Sequence, residues 1–239
     1  MSGKISLCCY SDSKMSISKN KLIESFINLG YKMDDVYSYD ENVIKNDTSF
    51  YDFNKEVLTK ERGSGYWLWK PYIIYNTLKK IKDDDFLLYC DSGVIIINDI
   101  ELLKNNGDIT IFNNEWSHID WCKMDVLRSM LPNHTFESII KIKQVQASVF
   151  FIKKTEYNLN LIKEWLSWSQ INNFIDDSPS KLPNINTYKE HRHDQAIISN
   201  LVIREGIKTH WWPTTDDSTF KGFGTNVFFY HHRKRNNEW

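Results

Sequence analysis

One segment constrains the fold of this chain more than any other. Residues 85–90, reading DFLLYC, are apolar without interruption after the first position, stop at Asp91-Ser92-Gly93, and give way to a second apolar run at 94–97. A strand with no polar alternation must be covered on both faces, as strands inside an α/β sheet are. The residues before it are helical in type: 69–82 carry Pro71 in the first turn and an apolar stripe at Ile73, Ile74, Leu78 and Ile81.

The same alternation recurs along the chain. Residues 5–10 read as a buried strand and 18–30 as an amphipathic helix with Leu22, Ile23, Phe26 and Ile27 inward, closed by Gly30. A short strand at 36–39, a helix around 50–60, and strands at 109–112 and 145–152 follow. Thr155 caps a helix running to 170, and a further helix is predicted over 194–205, ending at Gly206. Strands at 208–212 and 227–230, joined by a loop containing Gly222 and Gly224, complete the pattern. Residues 172–189, with Pro179 and Pro183, read as a loop able to act as a lid. The 239 residues leave little room for a second core, so a single domain over 1–239 is expected, with a mainly parallel central sheet flanked by helices on both faces. Ligands bind such sheets beyond the carboxyl ends of the strands, which directs attention to Asp91.

Composition excludes several classes. Thirty Lys and Arg against thirty-one Asp and Glu give a net charge of -1, so no overall field draws the molecule to nucleic acid or an anionic membrane. A hydrophobic fraction of 41% with 26% charged residues is that of a folded protein, not a disordered one. Cys8, Cys9, Cys90 and Cys122 show no CxxC spacing and read as reduced core thiols. The opening MSGKISLCCYSDS holds no apolar stretch of leader length, and the longest apolar segments are broken by Asp91, Asn98 or Lys153, so no transmembrane segment and a cytoplasmic location are expected. The sequons at Asn46 and Asn133 are then expected to stay unmodified.

Four constellations carry chemistry. In YCDSGVIII, Asp91 puts a hard oxygen ligand at a strand end beside Ser92 and Gly93, where a phosphate-bound divalent cation could sit; a plain Asp-Ser-Gly turn explains the same three residues. In ERGSGYWLWKPYII, Arg62 and Lys70 flank a glycine-rich turn suited to an anion, while Tyr66, Trp67 and Trp69 serve either as stacking surfaces or as core. In HRHDQ, His191, His193, Asp194 and Gln195 gather polar groups at a helix start, where Asp194 also suits an N-cap. In FFYHHRKR, His231 and His232 offer imidazole to a metal, and Arg233, Lys234 and Arg235 offer cations to a diphosphate; a solvated basic tail is the plainer account.

In this order the motifs resemble glycosyltransferases of the family 8 and family 32 type. They resemble more closely the small bacterial and viral relatives that carry Gly-Tyr-Trp-x-Trp-Lys-Pro, an Asp-x-Gly turn and a later His-Asp-Gln, over about residues 53–233. The resemblance implies a GT-A-like fold and transfer of a hexose from a nucleotide-diphosphate sugar, UDP in preference to GDP, to a glycan or protein acceptor, with retention of configuration. It implies that Asp91 and one of His231 or His232 hold Mn2+ or Mg2+ against the donor diphosphate. It also implies that Gln146, Ala147 and Ser148 line the sugar pocket, and that His193, Asp194 and Gln195 lie beside the transferred sugar with catalytic roles. Leu7, Tyr10 and Ser11 match the nucleotide-binding first strand; Arg62, Tyr66, Trp67, Lys70, Asp91, Ser92, Gly93 and Arg233 complete the donor site. One departure is evident: Gly93 stands where the family has the second aspartate of Asp-x-Asp. A single protein carboxylate then leaves water, histidine and diphosphate oxygens to complete any metal shell. Two rival readings are a zinc metallohydrolase built on His191, His193, Asp194 and the His231-His232 pair, and a carbohydrate-binding protein without transferase activity.

Overall fold

The computed structural model describes residues 3–211, 214–216 and 227–239, with only the backbone of 214–216. The strands are β1 (Ile5–Ser11), β2 (Val36–Asp40), β3 (Phe86–Cys90), β4 (Val94–Ile96), β5 (Ile109–Ser117), β6 (Lys143–Lys153), β7 (His210–Trp211), β8 (Thr214–Asp216) and β9 (Phe229–His231). The helices that position the site are α1 (Ser16–Asn28), α2 (Trp69–Lys80), α3 (Met124–Met130), α4 (Glu156–Ser169) and α5 (His193–Arg204), joined by shorter helical turns.

β3 lies inside a six-stranded sheet of order β2-β1-β3-β6-β5-β7, and all five of its residues are buried. Its side chains alternate between two cores, as the pleat requires. Leu87 and Tyr89 join Ile73, Phe150, Trp165 and Leu201 under α2, α4 and α5. Phe86, Leu88 and Cys90 join Leu7, Phe26, Val94 and Phe229 on the opposite face, which α1 and a second sheet cover. β1 pairs in parallel with β2 and β3, and β5 with β7, while β6 is antiparallel to both β3 and β5. Five strands therefore run one way and β6 alone opposes them, so the expected mainly parallel sheet, covered on both faces, is present.

The second sheet, β4-β9-β8, ties the tail to the strand that follows Asp91. β4 and β9 pair antiparallel, with Val94 opposite His231. The strand expected at 227–230 is thus shifted to Phe229–His231. Three local expectations change. The helix placed around 50–60 is broken into Thr48–Phe53 and Lys55–Leu58, because Asn54 folds its side chain back onto the Phe50 carbonyl (2.8 Å). The helix from Trp69 stops at Lys80, with Ile81 already extended. Asp194 is the second residue of α5 and does not cap it; Arg192 occupies the N-cap without a side-chain bond. Thr155 does cap α4, accepting from the Asn158 amide at 3.1 Å.

α1 has an unusual cap. Met15 at its N-cap offers no side-chain acceptor, and the Ile17 amide donates instead to Asn236 Oδ1 at 2.9 Å, from the far end of the chain. All four cysteines are buried free thiols. Among the described residues, no helix is long and apolar enough to cross a membrane. Trp212, Gly222 and Gly224 lie outside the described residues.

Candidate active site

A cleft of about 750 Å3 opens at the carboxyl ends of β1 and β3. Of the residues singled out in the sequence, Tyr10, Ser11, Arg62, Trp67, Lys70, Asp91, Ser92, Gly93, Gln146, Ala147, Ser148, His193, Asp194, Gln195, His231 and Arg233 all line it. Three do not. Leu7 is fully buried in the apolar layer under α1, four residues before the carboxyl end of β1 where the cleft opens. Tyr66 stacks on His193 with ring centroids 5.2 Å apart, outside the wall. His232 turns toward the tail, its Nδ1 accepting from the Lys234 amide (3.0 Å) and its ring meeting Trp239 edge-on.

Lys70 organises the floor. It is the second residue of α2, with Pro71 following it in the same first turn. Its buried ammonium lies 3.2 Å from Asp91 Oδ1 and 3.1 Å from Asp194 Oδ2, and donates to the Ala147 carbonyl at 3.0 Å. Tyr89 adds a hydrogen bond to Asp91 Oδ1 at 2.5 Å. Burial opposes the lysine's charge, yet Asp194 and Asp91 outweigh it and the ammonium is held more firmly than an ordinary lysine's. Burial pushes Asp194 up to about 6 in spite of Lys70. The anions that Lys70 meets are therefore the protein's own carboxylates, Asp91 and Asp194.

Gln195 anchors the neighbouring strand. Its Oε1 accepts from the Ala147 amide at 3.3 Å and its Nε2 donates to Gln144 Oε1 at 2.7 Å. With its amide so committed, Gln195 fixes where β6 presents Gln146, Ala147 and Ser148 to the cleft. Ser148 Oγ is buried there and accepts or donates no hydrogen bond among the described residues.

The glycine-rich turn forms one wall. From Gly63 to Trp67 five successive residues have positive φ (59°, 51°, 96°, 53° and 61°), a left-handed turn that costs each non-glycine residue about 1–2 kcal/mol. Glycine is required twice within it. A Cβ on Gly63 would meet the Trp67 ring at 2.5 Å, and one on Gly65 would meet Leu58 Cα at 2.6 Å. Trp69 belongs mainly to the core, stacked on Tyr10 at 3.8 Å with Nε1 donating to the Gly63 carbonyl. Arg62, expected to meet an anion, is paired with Asp177 (2.8 Å) and Glu190 (3.1 Å).

The tail supplies the facing wall. The amides of His232 and Arg233 both donate to the Gly93 carbonyl, at 3.0 and 3.3 Å. A Cβ at Gly93 would stand 3.1 Å from Arg233 Cα, so the space a second aspartate would need is filled by the tail. Arg233 and Arg235 thereby reach the cleft, and Asn236 locks them in place by bonding Ser13, Ser16 and Ile17.

A divalent cation finds few protein donors. Among the described residues no three His, Cys, Asp or Glu side chains gather as a metal set. Asp91 and His231 do line the same cleft, and a cation of the magnesium type needs only one or two protein ligands when diphosphate oxygens complete its shell. Lys70 and Tyr89 already hold Asp91 Oδ1, and His232 is not in the lining.

The zinc-hydrolase reading is not supported. His191 is buried, its Nδ1 accepting from the Lys123 amide (3.2 Å) and its Nε2 bonded to the Phe174 carbonyl (2.6 Å), so both nitrogens are occupied. His193 bonds Asp177 at 3.0 Å, and burial lowers it to about 4. The loop read as a lid is tied down at many points. The buried Lys123 ammonium donates to the carbonyls of Asn173, Asp176 and Ser178, and Asn184 accepts from the Met124 amide at the start of α3. A lid movement would have to break this set.

Trp116 and Arg192 line the cleft, Tyr89 bonds Asp91 and Asn236 clamps the tail, and none of the four was singled out in the sequence. Only a position next to a motif could have flagged Tyr89 and Arg192, whereas Trp116 and Asn236 lie in stretches without one.

No family model matches the chain, and no curated protein matches it. Solved structures do. The apo structure of the WbbM bifunctional glycosyltransferase superposes with a TM-score of 0.52 at 11% identity, covering 98% of this chain and 46% of that one. A glycosyltransferase involved in glycosylation of the major capsid of PBCV-1 gives 0.53 at 15% identity, covering 95% of this chain and 93% of that one. This chain thus spans less than half of the first and nearly all of the second. The fold is GT-A-like, an α/β architecture that this chain shares with solved glycosyltransferases.

Proposed function

We propose that the protein transfers a sugar from a nucleotide-diphosphate donor to a glycan or protein acceptor. The observation that carries this reading is the position of the Lys70-Asp91-Asp194 cluster, at the strand ends where β1 and β3 open, opposite the cations Arg233 and Arg235. A buried carboxylate, Asp194, and a half-buried one, Asp91, in one cleft with two arginines suit a reaction in which negative charge grows on a departing diphosphate while positive charge grows on a sugar.

The nucleotide lies along the end of β1, at Tyr10 and Ser11, in this reading, and UDP is the preferred donor base. Arg233 and Arg235 stabilise the diphosphate as the bond from the anomeric carbon to its oxygen breaks. Asp194, whose Oδ2 is paired with the Lys70 ammonium at 3.1 Å, faces the sugar and stabilises its oxocarbenium character. Under retention of a hexose's configuration the acceptor hydroxyl attacks from the side the diphosphate leaves, and its proton passes to the departing phosphate oxygen. A manganese or magnesium ion held by Asp91 and His231 would add Lewis-acid neutralisation of that leaving group.

Calorimetry with UDP and with GDP, each with and without manganese, tests the reading directly. UDP is expected to bind, more tightly with manganese, and Asp91→Ala to remove the manganese effect while the unfolding midpoint stays within a few degrees. Absence of binding by either nucleotide sinks the proposal; glycan binding without nucleotide affinity would favour a carbohydrate-binding protein.

A further inference from the structure

We infer that Trp116 is the stacking platform for a pyranose ring of the acceptor, an inference that rests on the sugar-transfer reading above. Trp116 lies near the end of β5 and lines the cleft, and 39% of it stays exposed although a second tryptophan stacks against it. It is held rigidly. Trp121 stacks against it with centroids 4.6 Å apart and planes 25° from parallel, and the Arg192 guanidinium sits 4.7 Å from the Trp116 ring and 4.6 Å from that of Trp121. The Trp116 amide is fixed as well, donating to Asn114 Oδ1 at 2.9 Å. An exposed indole so fixed loses little entropy when a ligand covers it, which is what a binding platform requires.

The sheet order says which ligand it serves. From β1, where the nucleotide is placed, the order β1-β3-β6-β5 runs past Asp91 and Ala147 before it reaches Trp116. Three strand spacings of about 4.8 Å separate β1 from β5, roughly 14 Å. Trp116 is thus on the far side of the reacting carboxylates from the nucleotide, where an acceptor must approach. The polar surroundings fit a sugar too: Arg192 Nε and Ser148 Oγ line the same cleft, are buried, and have no hydrogen-bond partner among the described residues. The apolar C–H face of a pyranose on the indole, with hydroxyls reaching these two groups, satisfies both.

The test uses saturation-transfer NMR with lactose and maltose as pyranose probes, in the presence of UDP, alongside calorimetry with UDP alone. The unaltered protein is expected to show transfer to at least one disaccharide. Trp116→Ala should weaken that binding on the order of tenfold, equivalent to about 1.4 kcal/mol, and leave UDP affinity within about twofold. Trp116→Phe, which keeps an aromatic face, should retain most of it, and thermal unfolding of both variants checks the fold. Binding of neither disaccharide by the unaltered protein, or equal binding by Trp116→Ala, overturns the inference while intact UDP binding leaves the donor reading standing. A loss of UDP affinity in Trp116→Ala, matching the loss for sugar, would make Trp116 a nucleotide contact and overturn it as well. If UDP fails to bind the unaltered protein, it is the donor reading that fails.

Discussion

The Lys70 ammonium lies 3.1 Å from Asp194 Oδ2, both groups buried, across 124 residues of chain between α2 and α5. Removing one partner of such a pair leaves an uncompensated charge, which costs about 3–5 kcal/mol. Lys70→Met is expected to lower unfolding free energy by about that amount in urea titrations, and Lys70→Met with Asp194→Asn to recover part of it. Additive losses in the double variant would show that the two side chains do not act as a pair.

Asp194 sets an acid limb. Burial raises its carboxyl to about 6, so below that pH it carries a proton and cannot stabilise a cationic sugar. kcat/KM is expected to fall as pH drops through about 6, and Asp194→Asn to abolish the limb with a loss of roughly a hundredfold or more. The sign for stability is opposite: because the folded pKa lies above the ordinary aspartate value of 3.8, this group favours the fold most below that value and loses that contribution as pH rises to about 6. His193, lowered to about 4, is neutral throughout the same limb.

Gly93→Asp would add a second aspartate two residues after Asp91 in sequence only. Its Cβ would press on Arg233 Cα at 3.1 Å and on the Arg233 amide nitrogen at 3.4 Å. A loss of about 1–3 kcal/mol is expected, with weaker UDP binding as Arg233 is displaced and no gain in manganese affinity by calorimetry. Tighter manganese binding at unchanged stability would contradict the packing account.

Asn236 caps α1 from the opposite end of the chain. Asn236→Ala is expected to cost about 0.5–2 kcal/mol in thermal or urea unfolding, the usual worth of an N-cap. Because Asn236 also bonds the Ser13 carbonyl and Ser16 Oγ, its loss should free Arg233 and Arg235 and raise the apparent Kd for UDP several-fold. Unaltered UDP affinity would detach the tail clamp from the donor site.

The chain's periodicity alone specified the sandwich of helices and sheet. The apolar run ending at Asp91, Pro71 in the first turn of α2 and the Thr155 cap of α4 are local signals, set by side-chain spacing and hydrogen bonds within a few residues. The breakage of the helix near Asn54 escaped that reading, since one side chain competing with the backbone outweighs propensity there. Most cleft residues were legible too, because they sit at strand ends or beside Gly and Trp clusters. Their partners were not. Lys70 reads equally well as an anion ligand or as the mate of Asp91 and Asp194, Gly93 reads as a vacancy until Arg233 fills it, and Trp116 and Asn236 carry no mark at all. Spacing along a sequence reports which face of an element is buried, while the identity of the group across the cleft depends on contacts between segments 100 or more residues apart, which only the packed fold brings within reach.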